Sequence, residues 1–244
     1  MRIAVLTFVL GLGLASAAFA EGEVELMHAN NNISNMGSLQ RGAKYFVNYC
    51  LGCHSAKYVR YNRLGQDLGI TEQQLIDNLM FTGERPFDTM ANAMRPEDSV
   101  RWFGKSPPDL SLMARARGVD YIYTFLHSFY AAPGRSTGAD NIVLPGTAMP
   151  HVLWKLQGVQ GAKFRTDAEH GGAKEFEGFE TIKAGELSSE EYDEVVRDIV
   201  NFLDYISEPV KVERQQLGIR VIGFLLVFLL IAYMLKKEIW KDVE

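Results

Sequence analysis

The five residues from Cys50 to His54 constrain this chain more than any other stretch. They contain the only two cysteines in 244 residues, separated by two positions and followed directly by a histidine. Two thiols at this spacing can each form a thioether bond with one vinyl group of the same porphyrin, and the histidine then lies against the iron. The pattern Cys-x-x-Cys-His therefore predicts one covalently attached c-type haem, held by Cys50 and Cys53 and ligated by His54.

Two other kinds of site also use a Cys-x-x-Cys pair. A structural zinc site needs four ligands, and the sequence contains no second cysteine pair. A thioredoxin-like site places the pair beside a βαβ pattern, and the sequence around Cys50 shows none. We therefore interpret the motif as a haem attachment site.

The first twenty residues have the pattern of a secretory signal peptide. Arg2 gives a positive start, the apolar segment 3–14 follows, and Ala18-Phe19-Ala20 is a small-x-small cleavage site. We expect cleavage after Ala20, although an uncleaved N-terminal anchor is the alternative. Export agrees with the haem prediction, because c-type haem is attached outside the cytoplasm.

A second apolar segment, residues 217–235, predicts a single transmembrane anchor. Its roughly 19 residues would span roughly 28 Å at about 1.5 Å per residue, close to the thickness of a bilayer core. Basic residues such as Lys236 and Lys237 follow it, as expected at a cytoplasmic end. We expect a periplasmic haem domain over 21–210 and a cytoplasmic tail over 236–244, in the inner membrane; a buried core helix is the alternative reading of the apolar segment.

The sequence between these two segments predicts a mostly α-helical domain. Helical spacing begins near Ser38, where the small Gly42 would let another helix cross closely. Capping boxes begin at Thr71 and Ser188. Residues 55–69 are predicted as a loop, and 154–187 as a short hairpin or a surface loop. The net charge of −5 makes nucleic acid an improbable partner class.

The second axial ligand decides what such a haem can do. Met149 follows a Pro-Gly turn in Leu144-Pro-Gly-Thr-Ala-Met-Pro150, where an irregular loop can direct a thioether towards the iron. His151 is the main rival and would give a bis-histidine site. The weaker alternatives are a histidine and five methionines: His127, Met27, Met80, Met90, Met94 and Met113.

The haem propionates need positive or hydrogen-bonding partners. Arg115 and Arg117 follow the Pro107-Pro108 break, and their spacing places them on different sides of a helix. We expect one of them, Arg117, to contact a propionate, whereas a solvated surface charge is the simpler alternative.

At this point the sequence resembles the cytochrome c1 family, the membrane-anchored haem subunits of quinol–cytochrome c reductase (bc1) complexes. The motifs that carry the resemblance extend over most of the mature chain: Ser38-Leu-Gln-Arg-Gly42, Cys50-x-x-Cys-His-Ser55, Tyr58-Val-Arg-Tyr61, Trp102-Phe-Gly104, Pro107-Pro-Asp-Leu-Ser111, Ala114-Arg-Ala-Arg117, Ala148-Met-Pro150 and the C-terminal span.

This resemblance implies a mostly α cytochrome c-type domain, with Met149 as sixth ligand and with Arg117 and Tyr121 near the haem. Some family members carry a further cysteine pair that forms a disulfide, which this chain lacks. The implied partners are cytochrome b, a Rieske iron–sulfur protein as electron donor, and a soluble c-type cytochrome as acceptor. The chain alone would be an electron carrier, and enzymatic only as part of the complex.

Two other functions remain open from the sequence. One is a membrane-tethered cytochrome that shuttles electrons to a terminal oxidase, and the other is a haem peroxidase or sensor with a vacant sixth position. The acidic stretch 167–194 is a candidate docking surface for a basic acceptor, and the alternative is a solvated acidic loop.

Overall fold

The computed structural model of the chain describes residues 24–167 and 173–241. The predicted signal peptide, residues 1–20, lies outside them. About half of these described residues are helical, in agreement with the mostly α fold that the sequence predicts. The helices of the described residues are α1 Met36–Tyr45, α2 Tyr61–Leu68, α3 Glu72–Asn78, α4 Pro96–Phe103, α5 Met113–Arg117, α6 Val119–His127, α7 Trp154–Gln157, α8 Ser189–Ser207 and α9 Lys211–Ile239.

The strands form three antiparallel two-stranded sheets. They are β1 Ala56–Arg60 with β2 Thr89–Met90, β3 Phe129–Ala131 with β4 Ala139–Asn141, and β5 Gly158–Asp167 with β6 Ala173–Ala184. The first pair begins two residues after the cysteine motif, with Ala56 opposite Met90. This pairing brings the residues that follow β2 to the cysteine motif.

The centre of the core is the crossing of α1 with α8. A Cβ atom added to Gly42 would lie 2.1 Å from the carbonyl oxygen of Asp198, so the two helices touch along their main chains at this point. Beside the crossing, the rings of Phe46 and Phe202 pack with their centroids 5.4 Å apart. The prediction that the small Gly42 lets another helix cross closely is therefore confirmed.

The C-terminal helix α9 is long and apolar enough to cross a membrane, and its apolar window is 0% buried against the rest of the chain. The predicted span, residues 217–235, lies inside it. Only residues 208–210 separate α9 from α8. The alternative of a buried core helix is therefore wrong.

Two local expectations are corrected by the structure. Residues 55–69 are not a loop, because they form β1 and α2, where Tyr61 is fully buried and donates to or accepts from Thr82 Oγ1 at 3.1 Å. The hairpin expected in 154–187 is long rather than short. Its strands β5 and β6 pair with each other from Gly158, opposite Ala184, to Asp167, opposite Ala173. Both predicted capping boxes are present, at the starts of α3 and α8.

Candidate haem site

The cysteine motif lies where the first helix ends. A π-helical turn, Phe46–Cys50, extends α1 and widens its last turn. The motif then folds back on itself, since the amides of Cys53 and His54 donate to the carbonyl oxygen of Cys50 at 3.0 and 2.8 Å. Both thiols and the imidazole therefore belong to one compact turn at the edge of the core.

The ring of His54 is oriented by a main-chain acceptor. Its Nδ1 atom lies 2.8 Å from the carbonyl oxygen of Pro108. A carbonyl oxygen only accepts hydrogen bonds, so Nδ1 carries the proton and Nε2 keeps its lone pair. Burial lowers the pKa of His54, which favours the neutral imidazole. A neutral ring with a free Nε2 is the form that binds a metal.

The two thiols are free and partly buried. Burial raises the pKa of Cys50 to about 12, and burial also raises the pKa of Cys53. Both are therefore reduced, neutral thiols and not a disulfide, which is the redox state from which a thioether can form. Two thiols and a neutral imidazole in one turn fit a covalent haem.

The segment that follows Pro107 is tied to the motif and to β1. Leu110 donates from its amide to the carbonyl oxygen of Ser55 at 2.8 Å. The carboxylate of Asp109 accepts from the amide of Lys57 at 3.0 Å and from that of Ser111 at 2.8 Å. Although burial acts to raise the pKa of Asp109, the hydrogen bonds from Ser111 and Lys57 hold it below its usual range. This charged anchor keeps the Pro108 carbonyl beside His54.

Met149 lies in a loop shaped by hydrogen bonds. The amide of Thr147 donates to the carbonyl oxygen of Leu144 at 3.1 Å, which closes the Pro-Gly turn. The amide of Gly146 donates to Asp140 Oδ1 at 2.8 Å, and the Met149 amide lies 3.4 Å from Thr147 Oγ1. Met149 itself is half-buried. These hydrogen bonds hold the loop in one shape, as a loop that presents a metal ligand requires.

The ring of His151, the main rival of Met149, lies in an aromatic contact. Its ring stacks on Phe129 with 5.1 Å between centroids and 7° between planes. Burial lowers its pKa to about 4, so the ring is neutral at physiological pH. Its Nε2 atom is buried and has no hydrogen-bond partner among the described residues.

The weaker candidates have other surroundings. Met80 and Met90 are buried in the core. His127 is held at both ring nitrogens, with Nδ1 2.8 Å from the carbonyl oxygen of Tyr123 and Nε2 2.8 Å from Asp193 Oδ1. Met27 is exposed in the segment that precedes α1.

The structure brings Arg117 and Tyr121 together. Arg117 ends α5 and Tyr121 lies on α6, and Gly118 between them has a φ of 88° that turns the chain. The guanidinium carbon of Arg117 lies 5.6 Å from the centre of the Tyr121 ring. Tyr121 in turn stacks on Phe125 at 6.4 Å. Arg117 is exposed, so its charge is available to a group beside Tyr121.

Sequence reasoning missed two residues that contact the motif. The sequence indicated the Pro108 carbonyl only indirectly. Two consecutive prolines predict an extended segment, but they do not show which residues that segment contacts. The sequence did not indicate Asn92, whose side chain reaches the carbonyl oxygen of Cys53, because 39 residues separate the two.

Comparison with known proteins gives one family. The model of the cytochrome C1 family matches residues 30–159 and 177–243. Cytochrome c1 of Allochromatium vinosum is 47% identical over 243 residues, covering 100% of this chain and 99% of that protein. A protein named ammonia monooxygenase gamma subunit, from Nitrosomonas europaea, is 42% identical over 91% of this chain and 90% of its own length. Cytochrome c1 of Rhodospirillum rubrum is 28% identical over 84% of this chain and 82% of its own length.

Proposed function

The chain belongs to the cytochrome c1 family, its cofactor is haem c, and we propose that it is the electron-transfer subunit of a ubiquinol–cytochrome c reductase (bc1) complex. The observation that carries the assignment to this complex is the family match over most of the chain, and the bond between His54 Nδ1 and the Pro108 carbonyl, at 2.8 Å within a Cys-x-x-Cys-His turn, supports the haem site. This bond leaves one nitrogen of a neutral imidazole free beside two thiols.

In this proposal Cys50 and Cys53 hold the haem covalently, and His54 and Met149 are its axial ligands. The bound haem supplies a one-electron carrier. Met149 supplies a soft thioether that favours the ferrous state and therefore raises the potential. If His54 and Met149 both bound the iron, oxygen and peroxide would find no free position there, and the chain would pass electrons.

Arg117 and Tyr121 would hold the propionate edge. Arg117 is an exposed cation 5.6 Å from the Tyr121 ring, which limits where the guanidinium can move. A carboxylate beside it would gain a charge-assisted hydrogen bond. The alternative from the sequence is that Arg117 is only a solvated surface charge. That alternative gives no role to the contact between Arg117 and the Tyr121 ring.

We infer that a Rieske iron–sulfur protein is the donor, a soluble c-type cytochrome is the acceptor, and cytochrome b is a further partner. Quinol chemistry belongs to other subunits in this proposal. The acidic residues of β6, such as Glu177 and Glu180, are exposed and could steer a basic acceptor.

The proposed arrangement in the inner membrane has residues 1–20 removed, the haem domain over 21–210 in the periplasm, the anchor over 217–235 and the tail over 236–244 in the cytoplasm. The joint between domain and anchor supports a fixed subunit. Lys211 Nζ lies 2.9 Å from both carboxylate oxygens of Asp204, and Arg214 Nη2 lies 3.2 Å from Glu208 Oε2. The first pair bridges the three-residue connection, and the second ties α9 to the first residue of that connection, so both restrain it.

A membrane-tethered shuttle is the runner-up function, and the joint argues against it because a shuttle needs a long flexible tether. The name of the Nitrosomonas europaea relative, ammonia monooxygenase gamma subunit, raises a third possible complex. These three functions differ in the proteins that the chain binds, so isolating the chain with its partners decides among them.

The test is purification from native membranes in mild detergent, through a tag placed after Glu244. We expect haem b, an iron–sulfur signal and quinol-dependent reduction of a c-type cytochrome to co-purify with the chain. A chain recovered alone, with a terminal oxidase or with oxygenase subunits would overturn the bc1 assignment. The double variant Cys50→Ser with Cys53→Ser is the control, because it should lose acid-stable haem and all cytochrome c reduction.

A further inference from the structure

Asn92 contacts the haem attachment motif on both sides of His54. Its carboxamide nitrogen, Nδ2, donates to the carbonyl oxygen of Cys53. Its own amide donates to the hydroxyl of Ser55 at 3.0 Å. Cys53 and Ser55 are the two neighbours of His54 in the chain, so a single residue holds the main chain just before the proposed axial ligand and the side chain just after it.

The side chain of Asn92 can make the first contact only in one orientation. The oxygen of Cys53 is an acceptor, so the atom that faces it must be the amide nitrogen. An oxygen at that position would repel the carbonyl. The contact therefore depends on the donor of Asn92, which neither a carboxylate nor an alkyl group of the same size can replace.

The surrounding structure holds Asn92 in place. It comes two residues after Met90, which pairs with Ala56 in the ladder between β1 and β2. Met90 is fully buried and Ser55 is 7% exposed. The ladder thus brings a residue 39 positions away to the carbonyl of Cys53 and keeps it there.

A second segment holds two of these residues, His54 and Ser55, from another direction. Leu110 donates to the carbonyl oxygen of Ser55 at 2.8 Å, and the Pro108 carbonyl accepts from the His54 ring at 2.8 Å. Pro108 orients the ring, whereas Asn92 orients the main chain from which the ring projects. Small rotations of that main chain would swing Nε2 away from a fixed position.

We propose that Asn92 is a positioning residue for the haem: it sets the main chain around His54 so that the imidazole plane has one orientation at the iron. The proposal rests on the proposed function in one respect, that Cys50, Cys53 and His54 are the haem site. Asn92 acts through Cys53 and Ser55 and is not itself a ligand.

The test compares variants of the full-length protein purified from native membranes. Asn92→Leu keeps the approximate size and removes the donor, and Asn92→Gln keeps the carboxamide on a longer side chain. Asn78→Leu is the matched control, because the Asn78 carboxamide also donates to a carbonyl, that of Gln74 at 2.8 Å, but on an exposed helix. Two quantities are measured: covalent haem per polypeptide, and the electron paramagnetic resonance spectrum of the ferric haem.

The highest g-value of a low-spin ferric haem depends on how its axial ligand planes are oriented, so it reports ring orientation rather than stability. For Asn92→Leu we expect at least a twofold loss of covalent haem, together with a shifted or broadened highest g-value in the haem that remains. Asn92→Gln should recover part of both, and Asn78→Leu should match the wild type.

Wild-type loading and an unchanged spectrum in Asn92→Leu would overturn the proposal. A loss of haem with an unchanged spectrum would also overturn it, since it would assign Asn92 to folding alone. If Asn92→Leu does not accumulate, Asn92→Asp serves instead, because it keeps the size and the main-chain bond to Ser55 but places an acceptor against Cys53. Absence of acid-stable haem from the wild type itself would instead contradict the proposed function.

Discussion

The Nδ1 atom of His54 lies 2.8 Å from the carbonyl oxygen of Pro108, and this contact fixes which nitrogen of the ring can meet a metal. A ring that donates a hydrogen bond is also a more basic ligand through its other nitrogen. A more basic ligand favours ferric iron and lowers the potential. In the proposed haem site, the carbonyl of Pro108 would therefore influence the potential as well as the tautomer.

Loosening this carbonyl should raise the midpoint potential. Pro108→Gly keeps the carbonyl but frees the chain. Only the difference in hydrogen-bond strength between ferric and ferrous states moves the potential, so a bond worth about 0.5–1.5 kcal/mol sets an upper limit of about 20–60 mV for one electron. The measurement is a redox titration of the α-band in purified protein. Pro133→Gly, in an exposed loop, is the control for a general effect of glycine. A potential that falls or stays unchanged in Pro108→Gly would contradict the argument.

Replacing Met149 should change both the potential and the access of ligands. Met149→Leu removes the thioether while haem stays attached, so the potential should fall by more than about 0.1 V, within the roughly 0.8 V range that axial ligands set. Added cyanide should then bind the ferric haem readily. Met80→Leu, at a buried core position, is the matched control and should retain the wild-type potential. An unchanged potential in Met149→Leu would return His151 and the other candidates to consideration.

Features with a local cause were predictable from the sequence. The cysteine motif, the capping boxes at Thr71 and Ser188, and the apolar anchor each depend on neighbours within a few residues. The role of Gly42 was also predictable, because a small residue on an apolar helical face indicates a close crossing.

Features that depend on distant partners were not predictable. Residues 55–69 contain many polar side chains, which suggested a loop. In the folded chain these side chains find distant partners: Asp67 Oδ2 accepts from the hydroxyl of Tyr205 at 2.7 Å, and Tyr61 lies 3.1 Å from Thr82 Oγ1. Asn92 is the clearest example. Its partner is the main-chain oxygen of Cys53, and every residue has such an oxygen, so the sequence does not indicate which one a side chain will contact.

Adding a methyl group at the helix crossing should destabilise the protein. In Gly42→Ala the new Cβ would lie 2.1 Å from the Asp198 carbonyl oxygen, so α1 and α8 must move apart, at a cost of about 1–3 kcal/mol. Gly37→Ala, in the same helix, meets only atoms at 3.6 Å and should be neutral or slightly stabilising. Thermal unfolding in detergent measures both. Equal melting temperatures for the two variants would mean that the crossing can relax without loss.

The segment before α1 should lose part of its attachment in acid. Asp120 accepts from the amide of Ala29 and contacts His28 Nδ1, both at 2.9 Å, and these hydrogen bonds lower its pKa. Because the folded pKa is below the unfolded one, this stabilisation is present above about pH 4 and is lost as the pH falls through the folded pKa.

The variant Asp120→Asn tests this pH dependence. It should cost about 1 kcal/mol at pH 7, the scale of one hydrogen bond, and the difference from wild type should shrink below pH 4. Unfolding at a series of pH values measures the difference. Asp77→Asn, on the exposed helix α3, controls for charge removal. A difference that stays constant down to pH 3 would show that the Asp120 carboxylate does not carry the effect.

The acidic hairpin should control how the acceptor approaches. The family match ends at residue 159 and resumes at 177, so residues 160–176 of the hairpin lie outside it, whereas Glu177 and Glu180 lie within it. Its described acidic residues, Glu177 and Glu180, are exposed, and Glu180 lies 3.2 Å from Lys163, which offsets part of its charge. A surface of this kind acts on the association rate more than on the strength of the final complex.

Neutralising Glu175, Glu177 and Glu180 to glutamine should therefore slow reduction of a basic acceptor by about three- to tenfold at low salt. The same variant should match the wild type at high salt, because screening over about 10 Å at 0.1 M already removes the attraction in both proteins. Stopped-flow reduction rates against ionic strength give the slope directly. The control variant replaces three acidic residues of α3 and α4: Glu72, Asp77 and Glu97. It removes an equal charge elsewhere on the protein, so its slope should stay near that of the wild type. A hairpin variant whose slope equals that of the wild type would mean that the stretch 167–194 is a solvated surface and that the acceptor docks on another face.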